Sequence, residues 1–281
     1  MSKLDFSPAY LNKIQQLQIR LRRSSLGSQS GVHQSVKKGH GLEFSDLRPY
    51  SPGDDFRSVD WNALARTDKL YTRQYREEQD VNVLVVEDFS LSLAKNTIAQ
   101  MISLSLCYVA LSSGDKVSLL LPSIDQFPWV RSIKNFRRMI EFVESKTPSR
   151  ETNLSMSIME AASKIRLPAR VYVVSDFMFP IEDLEKTLEY CKGRNFDLSL
   201  VIVDNFEESI FVEDATLVDS ETNKEFNIDA SIKDLRFAID GHFSKIIELA
   251  RYYGQQFVVV RHDENIEQLV LNKFIEAGLL R

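Results

Sequence analysis

The sequence predicts an α/β fold, a mostly parallel β-sheet flanked by helices, and three observations carry that prediction. Beyond residue 80 the chain offers short β-branched apolar runs of buried-strand type: VNVLVVE (81–87), KVSLLL (116–121), RVYVVS (170–175), LSLVIV (198–203) and QFVVV (256–260). Between them lie stretches with helical spacing of apolar residues. Strand and helix therefore alternate along the chain, the order from which parallel sheets are built.

The elements follow in sequence. Residues 8–23, PAYLNKIQQLQIRLRR, set Leu11, Ile14, Leu17 and Leu21 at helical spacing among basic residues and read as an amphipathic helix; SSLGSQSG then reads as a flexible link. Residues 40–79 are turn-rich with no helical period. Strand 81–87 leads to a helix over 94–113, and Ser113-Gly114-Asp115 turns the chain into strand 116–121. QFPWV (126–130) is a short strand, followed by helices over 133–145 and 154–165. Strand 170–175, helix 181–193 and strand 198–203 come next. FVEDATLVDSETNKEFNI (211–228) breaks the rhythm as two or three short antiparallel strands turning at Thr222-Asn223-Lys224. Helix 241–253, strand 256–260 and helix 264–279 close the chain. The division expected is a basic helix and linker at 1–38, a β-rich segment at 39–79, and an α/β domain at 80–281 with a β insertion at about 206–238. The segments 40–79 and 206–230 are expected to pack as one small β-rich subdomain.

Length and charge narrow the class. A chain of 281 residues, 43% hydrophobic and 27% charged, suits a soluble globular protein of one large or two small domains. The net charge of -5 argues against a surface built throughout for nucleic acid. The front end is basic: Lys3, Lys13, Arg20, Arg22, Arg23, Lys37 and Lys38 stand against Asp5 alone in residues 1–42. That arm reads as a solvated helix face, as a segment docked on the protein's own acidic body, or as a peripheral contact with an anionic membrane or nucleic acid. Cys107 and Cys191 sit in apolar helical patterns and read as reduced core thiols. With no run approaching ~18 apolar residues and no signal-peptide pattern, a cytoplasmic protein is expected.

The stretch VVEDFSLSL (85–93) raises the functional question. A buried strand ends in an acid, Asp88, and offers Ser90 and Ser92 at alternate positions. The strand at 170–175 ends in Asp176, and the helix at 154 is entered through Arg150-Glu151-Thr152-Asn153. All lie near the expected carboxyl edge of the sheet, where ligands of such folds bind. Two carboxylates and three hydroxyls form an all-oxygen set suited to Mg²⁺, with Ca²⁺ or Mn²⁺ as the other hard cations. Each residue also has a plainer role: Ser90 or Ser92 capping helix 94–113, Thr152 capping helix 154–165, Asp176 bonding loop amides.

The spacing Asp88-x-Ser90-x-Ser92, then Thr152, then Asp176 resembles the metal-ion-dependent adhesion site of von Willebrand factor A-like domains, which have a Rossmann-like fold. GHGLEFSDLRPYSPGDDFRSVDWNALAR (39–66) resembles the hallmark of a bacterial family, domain of unknown function 58, and this second resemblance is the more specific. Two departures stand out. Leu93 replaces a frequent methionine, and Glu87 stands where an apolar residue is usual, so that an extra acid would tighten cation binding or compete with an acidic ligand.

Within 39–66, Ser51-Pro52-Gly53-Asp54 reads as a type II turn. Arg48, Arg57 and Arg66 with Asp54, Asp55 and Asp60 read either as an ion-pair network orienting Tyr50 and Trp61 or as a partner-facing surface made of Arg48, Tyr50, Arg57, Trp61 and Arg66. The resemblance implies a non-enzymatic interaction module that works with a MoxR-type AAA+ ATPase in the assembly, maturation or remodelling of other proteins. Asp88, Ser90, Ser92, Thr152 and Asp176 would hold Mg²⁺, and a client's acidic residue would complete its shell. The alternative is a metal-dependent hydrolase or phosphotransferase at the same site. Against it, the sequence has no GxxxxGK[ST] loop, and His33, His40, His242 and His262 are scattered.

Overall fold

The computed structural model describes residues 4–20, 42–77, 81–94, 97–149, 153–206, 216–218, 225–227 and 232–281. The chain divides into two compact bodies, one formed by residues up to 27 and from 81 onward, the other by residues 28–80.

The large body begins with α1 (Pro8–Ile14), started by Ser7, whose hydroxyl accepts the Tyr10 amide at 3.2 Å, and by Pro8 in the first turn. The helix expected over 8–23 stops at Ile14. The chain then extends, because the C-terminal residues offer it a strand partner: the Gln18 and Arg281 backbones exchange hydrogen bonds of 2.9 and 3.0 Å, and Ile19 pairs with Leu280. Tyr10, Ile14, Leu17 and Ile19 are all buried in the main core, and Lys13 pairs with Glu267. Leu11, Ile14 and Leu17 of the expected apolar stripe are thus spent on the protein's own body, and Leu21 lies outside the described residues.

In the small body β1 (Leu42–Pro49) pairs antiparallel with β2 (Tyr71–Glu77), with an irregularity between Phe44 and Asp46. A short helix, α2 (Trp61–Thr67), lies between them, capped by the Asp60 side chain. It escapes a reading by periodicity because it is two turns long and buries none of its residues.

The large body is organised by a six-stranded sheet. Its members are β3 (Asn82–Glu87), β4 (Lys116–Leu121), β5 (Asp125–Gln126), β6 (Ala169–Ser175), β7 (Asp197–Asp204) and a last strand at Gln256–Arg261. The order is last strand-β7-β6-β3-β4-β5, parallel except for the β4–β5 pair. Odd residues of β3, Val83 and Val85, face a core shared with α1, α4 (Ile98–Ser112) and α5 (Phe136–Glu144); α4 follows the single turn α3 (Leu91–Ala94). Even residues, Leu84 and Val86, face α6 (Leu154–Ser163), α7 (Ile181–Gly193) and α8 (Ile232–Tyr252). Ahead of α8, β8 (Thr216–Val218) and β9 (Glu225–Asn227) form an antiparallel pair in a sheet separate from β1–β2. After the last strand, now β10, α9 (Ile266–Gln268), a π-helical turn (Leu269–Lys273) and α10 (Phe274–Glu276) run on as one segment.

Both faces being covered, every residue of β6 and β7 is buried. Charge inside the sheet survives only as a pair. At the amino edge the fully buried Arg170 meets Asp197 at 2.6 Å and donates to Ser199 and Gln256. No described helix is long and apolar enough to cross a membrane.

If α1 is an integral part of this body, Ile14→Ala should lower unfolding stability by about 2–5 kcal/mol in urea denaturation, the range for emptying a closed aliphatic site. A change within ~0.5 kcal/mol would place α1 outside the cooperative fold.

Candidate functional site

The parallel strands deliver two acids to one edge. Asp88 follows β3 and is 5% exposed; Asp176 follows β6, the neighbouring strand, and is 9% exposed. Between them lies a set of hydroxyls. Ser90 Oγ and Ser92 Oγ are 2.9 Å apart, Ser92 donates to Asp176 Oδ2 at 3.2 Å, and Ser175 donates to Asp88 Oδ2 at 2.7 Å. The loop carrying the serines is held from two sides. Residues 89–91 bridge Ser149 through backbone bonds of 2.9 and 3.2 Å, and the Asn205 amide, just past β7, donates to the Ser92 carbonyl at 2.8 Å.

The turn after Asp176 is strained. Phe177 is fully buried yet has φ +53°, a left-handed conformation that costs a non-glycine residue about 1–2 kcal/mol. Four bonds hold it there. Its amide donates to Ser175 Oγ at 2.9 Å, and the Met178 amide donates to Asp176 Oδ1 at 3.1 Å. The Phe177 carbonyl accepts from the Phe179 amide at 2.8 Å and lies 2.8 Å from His242 Nε2, on α8. A carbonyl only accepts, so Nε2 carries the proton. Asp68 and Asn195, also left-handed, sit just past helix ends, where Asp and Asn are tolerated. Phe177 has no such reason.

Glu87, the unusual extra acid, turns away from this set. It continues the odd face of β3 toward α4, where it is completely buried. Burial pushes its carboxyl up to about 8, with the neighbouring Asp88 adding to the rise. The Ser103 hydroxyl opposes part of the shift, but at a geometry too poor to satisfy either group. At neutral pH Glu87 is therefore mostly uncharged and adds no full negative charge beside Asp88.

The plainer readings are partly excluded. Neither serine caps α4, which begins at Ile98 behind Thr97. The cap of α6 is Asn153, whose side chain accepts the Met156 amide at 3.0 Å; Thr152 lies outside the described residues. Asp176 does bond a loop amide, with one oxygen, while its other oxygen takes Ser92. Ser175, Asn205 and His242 escaped the sequence reading. Ser175 was visible as the last residue of a strand, but nothing in the sequence tied Asn205 or His242 to this edge.

The donor set suits a small hard cation. Ser90, Ser92 and Asp176 are joined by hydrogen bonds of 2.9 and 3.2 Å and offer oxygen donors alone, the type that small hard cations take. An open cleft of about 420 Å³ is lined by Ser123, Asn153, Leu154, Ser155, Phe179, Pro180 and Asp183, and shares none of these residues with the set.

The second candidate set lies in the small body. Ser51–Asp54 forms the expected turn, with Gly53 at φ +107° and the Asp54 amide donating to the Ser51 carbonyl at 3.0 Å. The expected ion-pair network is smaller than its sequence suggests. Arg48 pairs with Asp54, whose carboxyl is held below its ordinary range first by the Ser51 amide and then by Arg48. Asp60 pairs with Arg73, outside the motif, and Asp55 accepts the Arg57 amide. Arg66 bonds the Asn62 carbonyl, and neither Arg57 nor Arg66 joins Asp54, Asp55 or Asp60 in an ion pair. Tyr50 packs on Phe56, but Trp61 is 59% exposed, so no network seats it.

Fold and site together define an α/β protein whose Rossmann-like, mostly parallel sheet carries an acid- and hydroxyl-rich carboxyl edge. The chain belongs to the family described as protein of unknown function DUF58, which matches residues 46–245. An uncharacterised protein of Mycobacterium tuberculosis is 23% identical over 92% of this chain and 86% of its own length. Among solved structures, the conserved hypothetical protein BatB from Bacteroides thetaiotaomicron aligns with a TM-score of 0.43 at 14% identity, over 71% of this chain and 98% of its own. An aerotolerance-related membrane protein from Bacteroides fragilis aligns with a TM-score of 0.42 at 15% identity, over 70% and 98%.

Glu87 gives this edge a pH signature. In the unfolded chain the carboxyl ionises near 4.5, in the fold near 8. Between those values the folded state keeps a proton that the unfolded chain has released, so stability falls as pH rises through this window. Glu87→Gln should flatten that slope and raise stability at pH 8 by a few kcal/mol. Urea denaturation from pH 5 to 8.5 checks it, and an undiminished slope in the variant would contradict the assignment.

Proposed function

We propose that this chain is a cation-dependent protein-interaction module of the von Willebrand factor A-like kind, and that it has no catalytic role of its own. The observation that carries the reading is the oxygen cluster at the carboxyl edge. Ser90, Ser92 and Asp176 are linked by hydrogen bonds, with Asp88 on the adjoining strand held by Ser175. Mg²⁺ bound there would supply a Lewis-acidic position for a carboxylate from another protein.

The residues of the chain do the rest. Asp88 and Asp176 provide the charge that holds the cation, and Ser90 and Ser92 the neutral oxygens; Thr152 is assigned by the resemblance alone. Burial of the two acids keeps water from screening them. Glu87 is buried toward α4, away from the cluster, so the edge presents two acids rather than three to a bound divalent ion.

His242 does not favour the hydrolytic alternative, since its Nε2 is committed to a backbone carbonyl rather than to a nucleophile. The partner class follows from the family resemblance: a MoxR-type AAA+ ATPase, with a client protein offering an acidic residue, in assembly, maturation or remodelling.

Mg²⁺ at a hundredfold excess over its Kd should raise the melting temperature by about 5–10 °C, and Asp88→Ala should abolish the rise. Binding to a MoxR-type ATPase should be lost in excess EDTA and restored by Mg²⁺. Full binding in EDTA would refute the adhesion mechanism even if the ATPase proved to be the partner.

A further inference from the structure

We propose that His242 is a positioning residue for the cation site: from α8 it locks the Phe177 turn and thereby fixes the Asp176 carboxylate. The proposal rests on the cation reading for its consequence, but its geometry stands independently.

Asp176 is aimed in part by the Met178 amide, a bond that depends on Phe177 staying left-handed. The Met178 amide holds Oδ1 at 3.1 Å, leaving Oδ2 to face Ser92 at 3.2 Å. The Phe177 amide reaches Ser175 Oγ at 2.9 Å, and that same hydroxyl donates to Asp88 Oδ2 at 2.7 Å. Relaxing Phe177 to negative φ would swing both neighbouring peptides and break the bonds made by the Phe177 and Met178 amides. Of the four bonds at the turn, three come from residues 175–179 themselves. Among the described residues, only the 2.8 Å contact from His242 Nε2 to the Phe177 carbonyl comes from another element.

That element is firmly seated. Phe243, Ile246 and Ala250 of α8 are buried in the core. Six residues before His242, Arg236 reaches Asp204 at 2.6 Å, at the end of the strand next to β6. The imidazole is thus delivered to the turn by a helix anchored on both sides of it. His242 acts through Phe177 and touches neither the serines' hydroxyls nor the acids' carboxylates by any described hydrogen bond.

The test compares the full chain with His242→Ala and His242→Gln, whose amide nitrogen reaches the place of Nε2. Two quantities are read: Mg²⁺ affinity by calorimetry, and hydrogen exchange of the Phe177, Met178 and Phe179 amides without metal. The Ala variant should bind Mg²⁺ about tenfold more weakly or worse, the usual penalty for losing an outer-shell support, and should exchange those amides faster. The Gln variant should recover both. Should the Ala variant fail to fold, His242→Asn, too short to reach the carbonyl, replaces it. Unchanged affinity, unchanged exchange, or failure of Gln to restore them overturns the proposal. If the wild-type chain itself shows no response to Mg²⁺, the cation reading fails. Amide exchange then decides alone whether His242 holds the turn.

Discussion

Helices cover the central sheet on both faces, and the desolvation this imposes dictates where charge can sit. An isolated ion within β3, β6 or β7 would lose its hydration with nothing in return. The molecule meets the constraint differently at the two edges. At the amino edge Arg170 and Asp197 neutralise each other across neighbouring strands. At the carboxyl edge Asp88 and Asp176 emerge where the strands stop, each with a hydroxyl donating to it. Glu87, one residue too early to escape burial, is held mostly in its neutral form instead. The polarity of the sheet thus produces an acidic edge, and the serines convert it into an oxygen cluster.

That cluster depends on backbone geometry as much as on side-chain identity. The Ser175 hydroxyl links both acids' loops, donating to Asp88 while accepting the amide of Phe177. The energy stored in the left-handed Phe177 is small against the stability of a domain, but large enough to need several partners to offset it. Strain held by groups from β6 and α8 gives the edge one well-defined shape. The cation site proposed here would gain from such preorganisation, because each donor that must be ordered on binding subtracts from affinity.

The small body is built on other terms. Three of its carboxylates are occupied locally: Asp54 closes its turn and pairs with Arg48, Asp55 starts the short 3-10 turn Phe56–Ser58, and Asp60 starts α2 and also takes Arg73. Phe56 and Trp61 are about three-fifths exposed, with Arg57 and Arg66 outside the ion pairs of the motif. Charges that read as one network in the sequence are thus divided between turn, caps and a strand arginine.

The large-body strands and most of its helices were legible in the sequence because burial on both faces forces continuous apolar runs, and because Asp, Ser and Gly punctuate their ends. The same logic puts Asp88, Ser90, Ser92 and Asp176 at one edge from the sequence alone, since parallel strands carry their carboxyl ends to the same side. Local chemistry also fixed the Ser51–Asp54 turn, where Pro and Gly each supply a required angle. What could not be read were relations between residues far apart in the chain. Arg281 ends α1 by pairing with Gln18, the neutrality of Glu87 comes from α4, and Asn205 and His242 reach the edge from β7 and α8. Periodicity reports how one segment meets a core. It carries no information on which distant hydrogen-bond donor will arrive beside a given carbonyl, and only the packed tertiary structure decides that.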